Sequence, residues 1–355
     1  YQSFINRGYC DPRALSNYGV ILRQRGEFDK AMELYKKSID LYPNSSDAYS
    51  NLGSLLKDTT SNLKEAEFYI RKALSIDSSS PQANFNLGII LLDRSLFKES
   101  EYYLMKSAEL LPNSADVFAA LALLNLHIKD NETAEKYFLE ALKLRPGFPQ
   151  ACANYGKLLK DKGQLSDAKK YFRKALEVNP NSPELLINLG SIYLDEGNLI
   201  ESEKITLRSI RFNPNLFDSY YNLSSIYIRS RQFEKAEKMI RKSLDLNPDY
   251  SNSYLNLGNI LINLGRFSEA KLSTIKAIEL NPKSFQALSN LGNISSLLGQ
   301  HRDAIKYTQT ALKLNSNFID AYINLGTIFT RASKFDSAID IYKKGLRISP
   351  KDKKL

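Results

Sequence analysis

The side chains of this 355-residue chain that could carry chemistry are few in kind: two histidines, two cysteines and 39 carboxylates. His127 and His301 stand far apart in sequence, so a histidine-based metal site or a nucleophilic triad is not expected. His301 also occupies a place that phenylalanine or leucine fills in most of the equivalent segments described below, which assigns it a packing role. Cys10 and Cys152 give no disulfide framework, and such sparse cysteine fits a reducing compartment, hence an expected cytoplasmic location. No glycine-rich phosphate loop followed by Lys and Ser or Thr is present, and no dinucleotide fingerprint follows a strand. The carboxylates lie in helical patterns, where they are ordinarily solvated, and none forms an isolated pair in an apolar setting. The sequence therefore assigns no catalytic residue, no metal ligand and no cofactor.

One residue type does recur at a chemically meaningful spacing, and it is asparagine. Asn followed by Leu or Tyr and then Gly or Ser occurs with its Asn at 17, 51, 86, 154, 188, 222, 256, 290 and 324. Ala120-Leu121-Ala122 fills the remaining place. The interval is 34 throughout, except for 35 between Asn51 and Asn86. That extra residue falls in the polar stretch Asp58–Asn62, where lengthening a turn costs little. A primary amide carries donors and an acceptor, so a row of them can hold a peptide group without reading its side chains. Asn259 and Asn293 add further amides to this ladder.

The elements that position these amides follow from the same period. Ten repeats begin at 12, 46, 81, 115, 149, 183, 217, 251, 285 and 319. Counting from each start, position 8 is Gly in eight repeats and position 20 is Ala in eight, Ser in the other two. Glycine inside a helix costs roughly 1 kcal/mol relative to alanine. Its recurrence at one phase implies two helix backbones in close approach, with position 20 facing it. Eight prolines sit at position 32 and end a helix; the other four, Pro12, Pro81, Pro149 and Pro183, sit at position 1, where a missing N–H is harmless. Glycines 26, 163, 197, 265 and 299 fall at position 15, where a left-handed turn is wanted. Each repeat reads as helix A over positions 2–14 and helix B over about 18–31.

With aromatics such as Tyr49, Phe118, Tyr220, Tyr254 and Tyr322 at position 4, this pattern resembles the tetratricopeptide repeat over residues 12–352. The resemblance implies an all-α solenoid, a right-handed superhelix of about ten helix-turn-helix repeats whose first helices line a concave groove. It also resembles the asparagine-ladder superhelix of O-linked N-acetylglucosamine transferases and of repeat regions attached to bacterial transferases. The expected function is a non-catalytic scaffold that binds an extended peptide or partner segment through Asn17, Asn51, Asn86, Asn154, Asn188, Asn222, Asn256, Asn259, Asn290, Asn293 and Asn324. Alternatives are the substrate-recognition arm of a multidomain glycosyltransferase or sulfotransferase, and a self-assembling structural array. Structural use of the amides within the stack is open beside ligand binding. In the third and fourth repeats Phe85, Ile89, Leu92, Leu123 and Leu126 put apolar side chains where the ladder would run, as an anchor pocket, a chain contact or a tighter stack.

Charge narrows the partner. The chain carries a net +10, which raises nucleic acid or an anionic surface. The positions that face the groove in the family (2, 5, 6, 9, 12 and 13) carry seven basic and nine acidic residues. The basic excess is therefore expected on the outer helices, and a nucleic-acid groove is not. No repeat has Lys at position 2 or Arg at position 6, the clamp by which related proteins grip chaperone tails. There is no run of 18 apolar residues, so no membrane-spanning segment is expected. Residues 1–11 read as the end of a preceding helix or an extension without secretory character, and 353–355 as a tail. Both ends read as cut, with a second copy or a neighbouring domain expected over the last repeat.

Overall fold

The computed structural model describes residues 11–60 and 62–350, and the expectations for residues 1–10 (Cys10 included) and 353–355 lie outside them. The described residues fold into twenty α-helices. Two compact units divide the chain, Tyr1–Val178 and Asn179–Leu355. The first unit contains α1 (Pro12–Gln24), α2 (Phe28–Leu41), α3 (Ser46–Thr59), α4 (Leu63–Ile76), α5 (Pro81–Asp93), α6 (Phe97–Leu110), α7 (Ala115–His127), α8 (Asn131–Leu144), α9 (Pro149–Asp161) and α10 (Leu165–Val178). The second contains α11 (Pro183–Asp195), α12 (Leu199–Phe212), α13 (Phe217–Arg229), α14 (Phe233–Leu246), α15 (Ser251–Asn263), α16 (Phe267–Leu280), α17 (Phe285–Leu297), α18 (His301–Leu314), α19 (Ile319–Arg331) and α20 (Phe335–Ile348).

Each repeat is one antiparallel pair, and both helices start one residue earlier than the sequence periodicity alone suggests. The cap residue explains the shift for the first helices. At the end of the preceding repeat Ser45, Ser80, Ser114, Ser182 and Ser284 each accept the backbone N–H three residues on, at 3.2–3.4 Å. That bond satisfies one of the orphan amides of the first turn and opens the helix at position 1.

Position 15 then stops the first helix. It is left-handed in nine repeats, occupied by five glycines (φ +75 to +79°) and by Ser95, Lys129, Arg231 and Ser333 at φ +57 to +65°. With it comes a recurrent six-to-one closing bond, as from Gln164 N to Leu159 O (2.9 Å) and from Gln300 N to Ser295 O (2.8 Å). The second repeat is the exception. There α3 runs one residue longer, to Thr59, and Thr60 is extended. The inserted residue is thus absorbed as a longer helix end and a different turn.

The expected close approach at the position-8 glycines is present, and the structure identifies what fills it. A Cβ built on Gly53 would lie 2.9 Å from the carbonyl of Ala66 at position 20, and one on Gly292 3.0 Å from that of Ala304. The nearest side chain in every case belongs to position 24: Tyr35, Ile70, Leu104 and Phe172 in the first unit, Thr206, Thr274, Thr308 and Tyr342 in the second. Where serine replaces either member of the Gly/Ala pair, it is hydrogen-bonded. Ser100 and Ser202, at position 20, donate to Gly88 O and Gly190 O at 2.7 Å. Ser224, at position 8, donates to Ala236 O at 3.1 Å. A hydroxyl here costs little because the facing backbone takes its proton.

Within each unit the repeats stack by two contacts. First helices lie side by side, α1 with α3, α5, α7 and α9 in turn, and α11 with α13, α15, α17 and α19 in turn. Each second helix packs against its own partner and against the first helix of the following repeat. The first helices therefore crowd on one side of each unit, the inner side, and the second helices form the other. Carboxylates at position 21 tie successive repeats together on the outer side: Glu67 pairs with Arg94, Glu135 with Lys162, and Glu237 with Arg266 at 2.8 Å.

Candidate functional site

The positions expected on the inner side of each unit are 2, 5, 6, 9, 12 and 13 of the first helices. Every charged residue of those ten helices belongs to the sixteen expected there, seven basic and nine acidic. The second helices carry 29 basic and 23 acidic residues. The positive excess thus lies off the first helices, shared between the second helices and the connections and termini. Several inner charges are paired: Arg23 with Asp58, Lys57 with Asp58 at 3.4 Å, and Arg229 with Asp195 at 3.8 Å.

In the first unit the ladder is uneven. Asn17 is exposed, Asn51 and Asn154 are half-buried, and Asn86 is 7% exposed. Asn51 Nδ2 donates to Ser16 Oγ of the preceding repeat at 3.2 Å, and Asn86 Oδ1 accepts from Gln82 Nε2 on its own helix at 3.1 Å. Ala120, where the ladder breaks, is buried in a cluster with Leu92, Leu104, Val117, Leu121 and Leu124. Phe85, Ile89 and Leu123 are half-buried and pack against that cluster, and Leu126 is half-buried beside them on α7. The five apolar residues are therefore the inner margin of the core, with Leu92 inside it.

In the second unit the ladder is continuous and its bonds follow one rule. Asn222 Nδ2 donates to Ile187 O (3.4 Å), Asn256 to Ser225 Oγ (3.4 Å), Asn290 to Asn259 Oδ1 (2.5 Å) and Asn324 to Ser289 Oγ (2.9 Å). Each acceptor lies on the first helix of the preceding repeat, at position 5 or 9. Asn188, Asn222, Asn256, Asn259, Asn290, Asn293 and Asn324 are all half-buried. Neither α15 nor α17 contains a charged residue, so this stretch of inner face is neutral and rich in amides.

The structure adds residues that the periodicity alone does not single out. Tyr221 stands at position 5 of α13 and hydrogen-bonds Asn256; burial raises its phenol pKa. Its ring meets that of Tyr250 edge-on at 5.3 Å, and Tyr250 in turn meets Phe217 at 5.0 Å. Asn252 Nδ2 donates to the Tyr250 hydroxyl at 3.3 Å. The signal was present as an aromatic at position 5 and another at position 34 of one repeat, but only the closing of that repeat's helix pair brings them together.

The described residues contain no group of three or more His, Cys, Asp or Glu that could hold a metal. His127 stacks on Phe97 at 5.7 Å, and His301 keeps a buried Nδ1 without a partner. Cys152 is buried, and its burial pushes the thiol pKa up, the opposite of an activated thiolate. Glu135 accepts from Tyr155 Oη at 2.8 Å and from Lys162, and Arg266 pairs with both Glu237 and Glu269; these clusters tie successive repeats together. No described helix is long and apolar enough to cross a membrane.

Comparison with known proteins agrees with this architecture. Profiles described as TPR repeat or tetratricopeptide repeat match residues 19–59; 46–80, 115–148, 149–182 and 217–250; 171–204, 239–271 and 275–306; and 298–353. Four of these matches begin where repeats were counted, at 46, 115, 149 and 217. No curated protein matches the chain significantly. Among solved structures, that of Pseudomonas aeruginosa pilF is similar over 59% of this chain and 96% of its own, with 20% identity and a TM-score of 0.52. Yeast Tom70 covers 97% of this chain and 93% of its own at 15% identity and a TM-score of 0.48. YrrB, titled a TPR protein with an unusual peptide-binding site, covers 52% and 94% at 20% identity and a TM-score of 0.41. With repeat matches along most of its length and the paired-helix stack they describe, the chain belongs to the tetratricopeptide repeat family.

Proposed function

We propose that the chain is a non-catalytic protein-binding scaffold, and that the inner face of its second unit holds an extended, largely uncharged polypeptide segment. The observation that carries this reading is the neutral amide surface of α15 and α17, Asn252, Asn256, Asn259, Asn263, Gln286, Asn290 and Asn293. Amides without neighbouring charge compete weakly with one another for solvent, and they match the donors and acceptors of a peptide backbone. A nucleic-acid ligand is disfavoured because the inner helices carry no basic excess. The half-buried Phe85, Ile89, Leu123 and Leu126 of the first unit supply a second surface, suited to an apolar anchor side chain.

The test is selection of a phage-displayed library of random 12-residue peptides on the purified chain, followed by titration calorimetry. The double substitution Asn256→Ala with Asn290→Ala should weaken a selected peptide at least tenfold while far-ultraviolet circular dichroism keeps its helical signal. A library that yields no binder, or an affinity unmoved by the double substitution, would overturn the reading.

A further inference from the structure

The ladder amides of the second unit are not free to present either edge. Ser225 spends its single hydroxyl proton on Tyr221 O, at 3.1 Å, so towards Asn256 it can only accept. Ile187 O is a carbonyl and can only accept from Asn222. These two contacts fix which end of each amide points back into the stack: the NH2 group. Asn290 and Asn324 make the same backward contact one and two repeats further on. What remains is a row of amide oxygens, those of Asn222, Asn256, Asn290 and Asn324 in the last four repeats.

We infer that this row, resting on the peptide-binding reading above, selects a segment in polyproline II conformation that offers one backbone N–H every third residue. Neighbouring packed helices lie about 8–10 Å apart. A polyproline II helix repeats every three residues and rises about 9.3 Å in doing so, so its every third N–H points the same way at the spacing of the ladder. A β-strand does not fit: two residues advance only about 7 Å, and three reverse the edge on which the N–H lies. Ser225 and Asn259 are positioning residues in this scheme, because they hold the amides with oxygen outward.

Defined synthetic peptides test it, whatever the natural partner. The peptide acetyl-(Ser-Pro-Pro)4-amide has an N–H only at every third residue and is biased to polyproline II by its prolines. It should bind the chain at least tenfold more tightly than the same peptide with N-methylserine, and more tightly than acetyl-(Ser-Pro)6-amide. Ser225→Ala frees the Asn256 amide to turn, so it should narrow the gap between the serine and N-methylserine peptides; a purely structural role would weaken both alike. Equal binding of the serine and N-methylserine peptides, or none, would overturn the inference. If a library-selected peptide then still binds in an Asn256- and Asn290-dependent way, the scaffold reading survives; if nothing binds, both fall.

Discussion

The two units answer the same packing problem with different side chains. At position 24, opposite position 8, the first unit places Tyr35, Ile70, Leu104, Phe138 and Phe172, all fully buried. The second places threonine three times, Thr206, Thr274 and Thr308, alongside Ile240 and Tyr342. Thr274 and Thr308 turn their hydroxyls onto the carbonyl four residues back, at 2.8 and 2.9 Å. The inner faces differ in the same sense, apolar at α5 and α7 and amide-rich at α15 and α17. So do the connections between repeats. In the second unit Asn213, Asn247, Asn281 and Asn315 each accept the N–H two residues on, at 3.0–3.2 Å, while the first unit has Tyr42, Leu111 and Arg145 at that position and only Asp77 makes the same bond there, at 2.9 Å. One backbone scheme thus tolerates two fillings, because positions 8 and 20 set the approach of the helices and position 24 only occupies what is left. The first unit gains more from apolar burial, the second from local hydrogen bonds.

The largest contrast should come from position 24 itself. Phe172→Ala removes a fully buried ring and is expected to cost about 3–5 kcal/mol, whereas Thr308→Ala should cost only about 1. Hydrogen exchange of the helices around each site is the appropriate readout, since a long array need not unfold in one step. Equal losses would break the comparison. Gly53→Ala comes next. Its new methyl would lie 2.9 Å from the backbone oxygen of Ala66 and 2.7 Å from Ile70. A cost of about 2 kcal/mol is expected from the urea midpoint.

A difference of sign lies inside the second unit. Thr206 Oγ1 is buried without a partner, while Thr274 Oγ1 is bonded. Thr206→Val should therefore stabilise by about 1 kcal/mol and Thr274→Val destabilise by a similar amount. A smaller gain is expected from Ser95→Gly. It relieves a left-handed residue (φ 60°) and should add somewhat less than about 1 kcal/mol after the greater freedom of unfolded glycine is counted.

The smallest effect concerns acid. The hydrogen bonds from Lys162 and Tyr155 lower the pKa of Glu135, outweighing its partial burial. A depressed carboxylate contributes stability above the usual carboxylate range and loses it as pH falls through the lowered value. The chain should lose part of its stability there, and Glu135→Gln should flatten that part of the curve in acid titrations followed by circular dichroism. At the other extreme, burial and the Glu203 contact push Tyr227 up to about 12, so it should still be protonated at a pH where exposed tyrosines ionise, as read from phenolate absorbance.

The sequence by itself determined the count and phase of the repeats, and the left-handed turn at the five position-15 glycines. Those features are local or strictly periodic: a proline that cannot continue a helix, a glycine that accepts a left-handed turn, an alanine facing a glycine every 34 residues. It also determined that the basic excess lies away from the first helices, since charge position follows directly from register. Tertiary structure alone decided three things. It showed that position 24 of the second helix fills the gap at the glycine of position 8, a contact between residues 16 or 17 apart that no single helix reveals. It gathered Tyr221, Tyr250 and Phe217 beside Asn252 and Asn256 across a repeat junction. And it turned the amides of Asn222 and Asn256, because the direction of an amide is set by whichever acceptor the neighbouring repeat brings within reach.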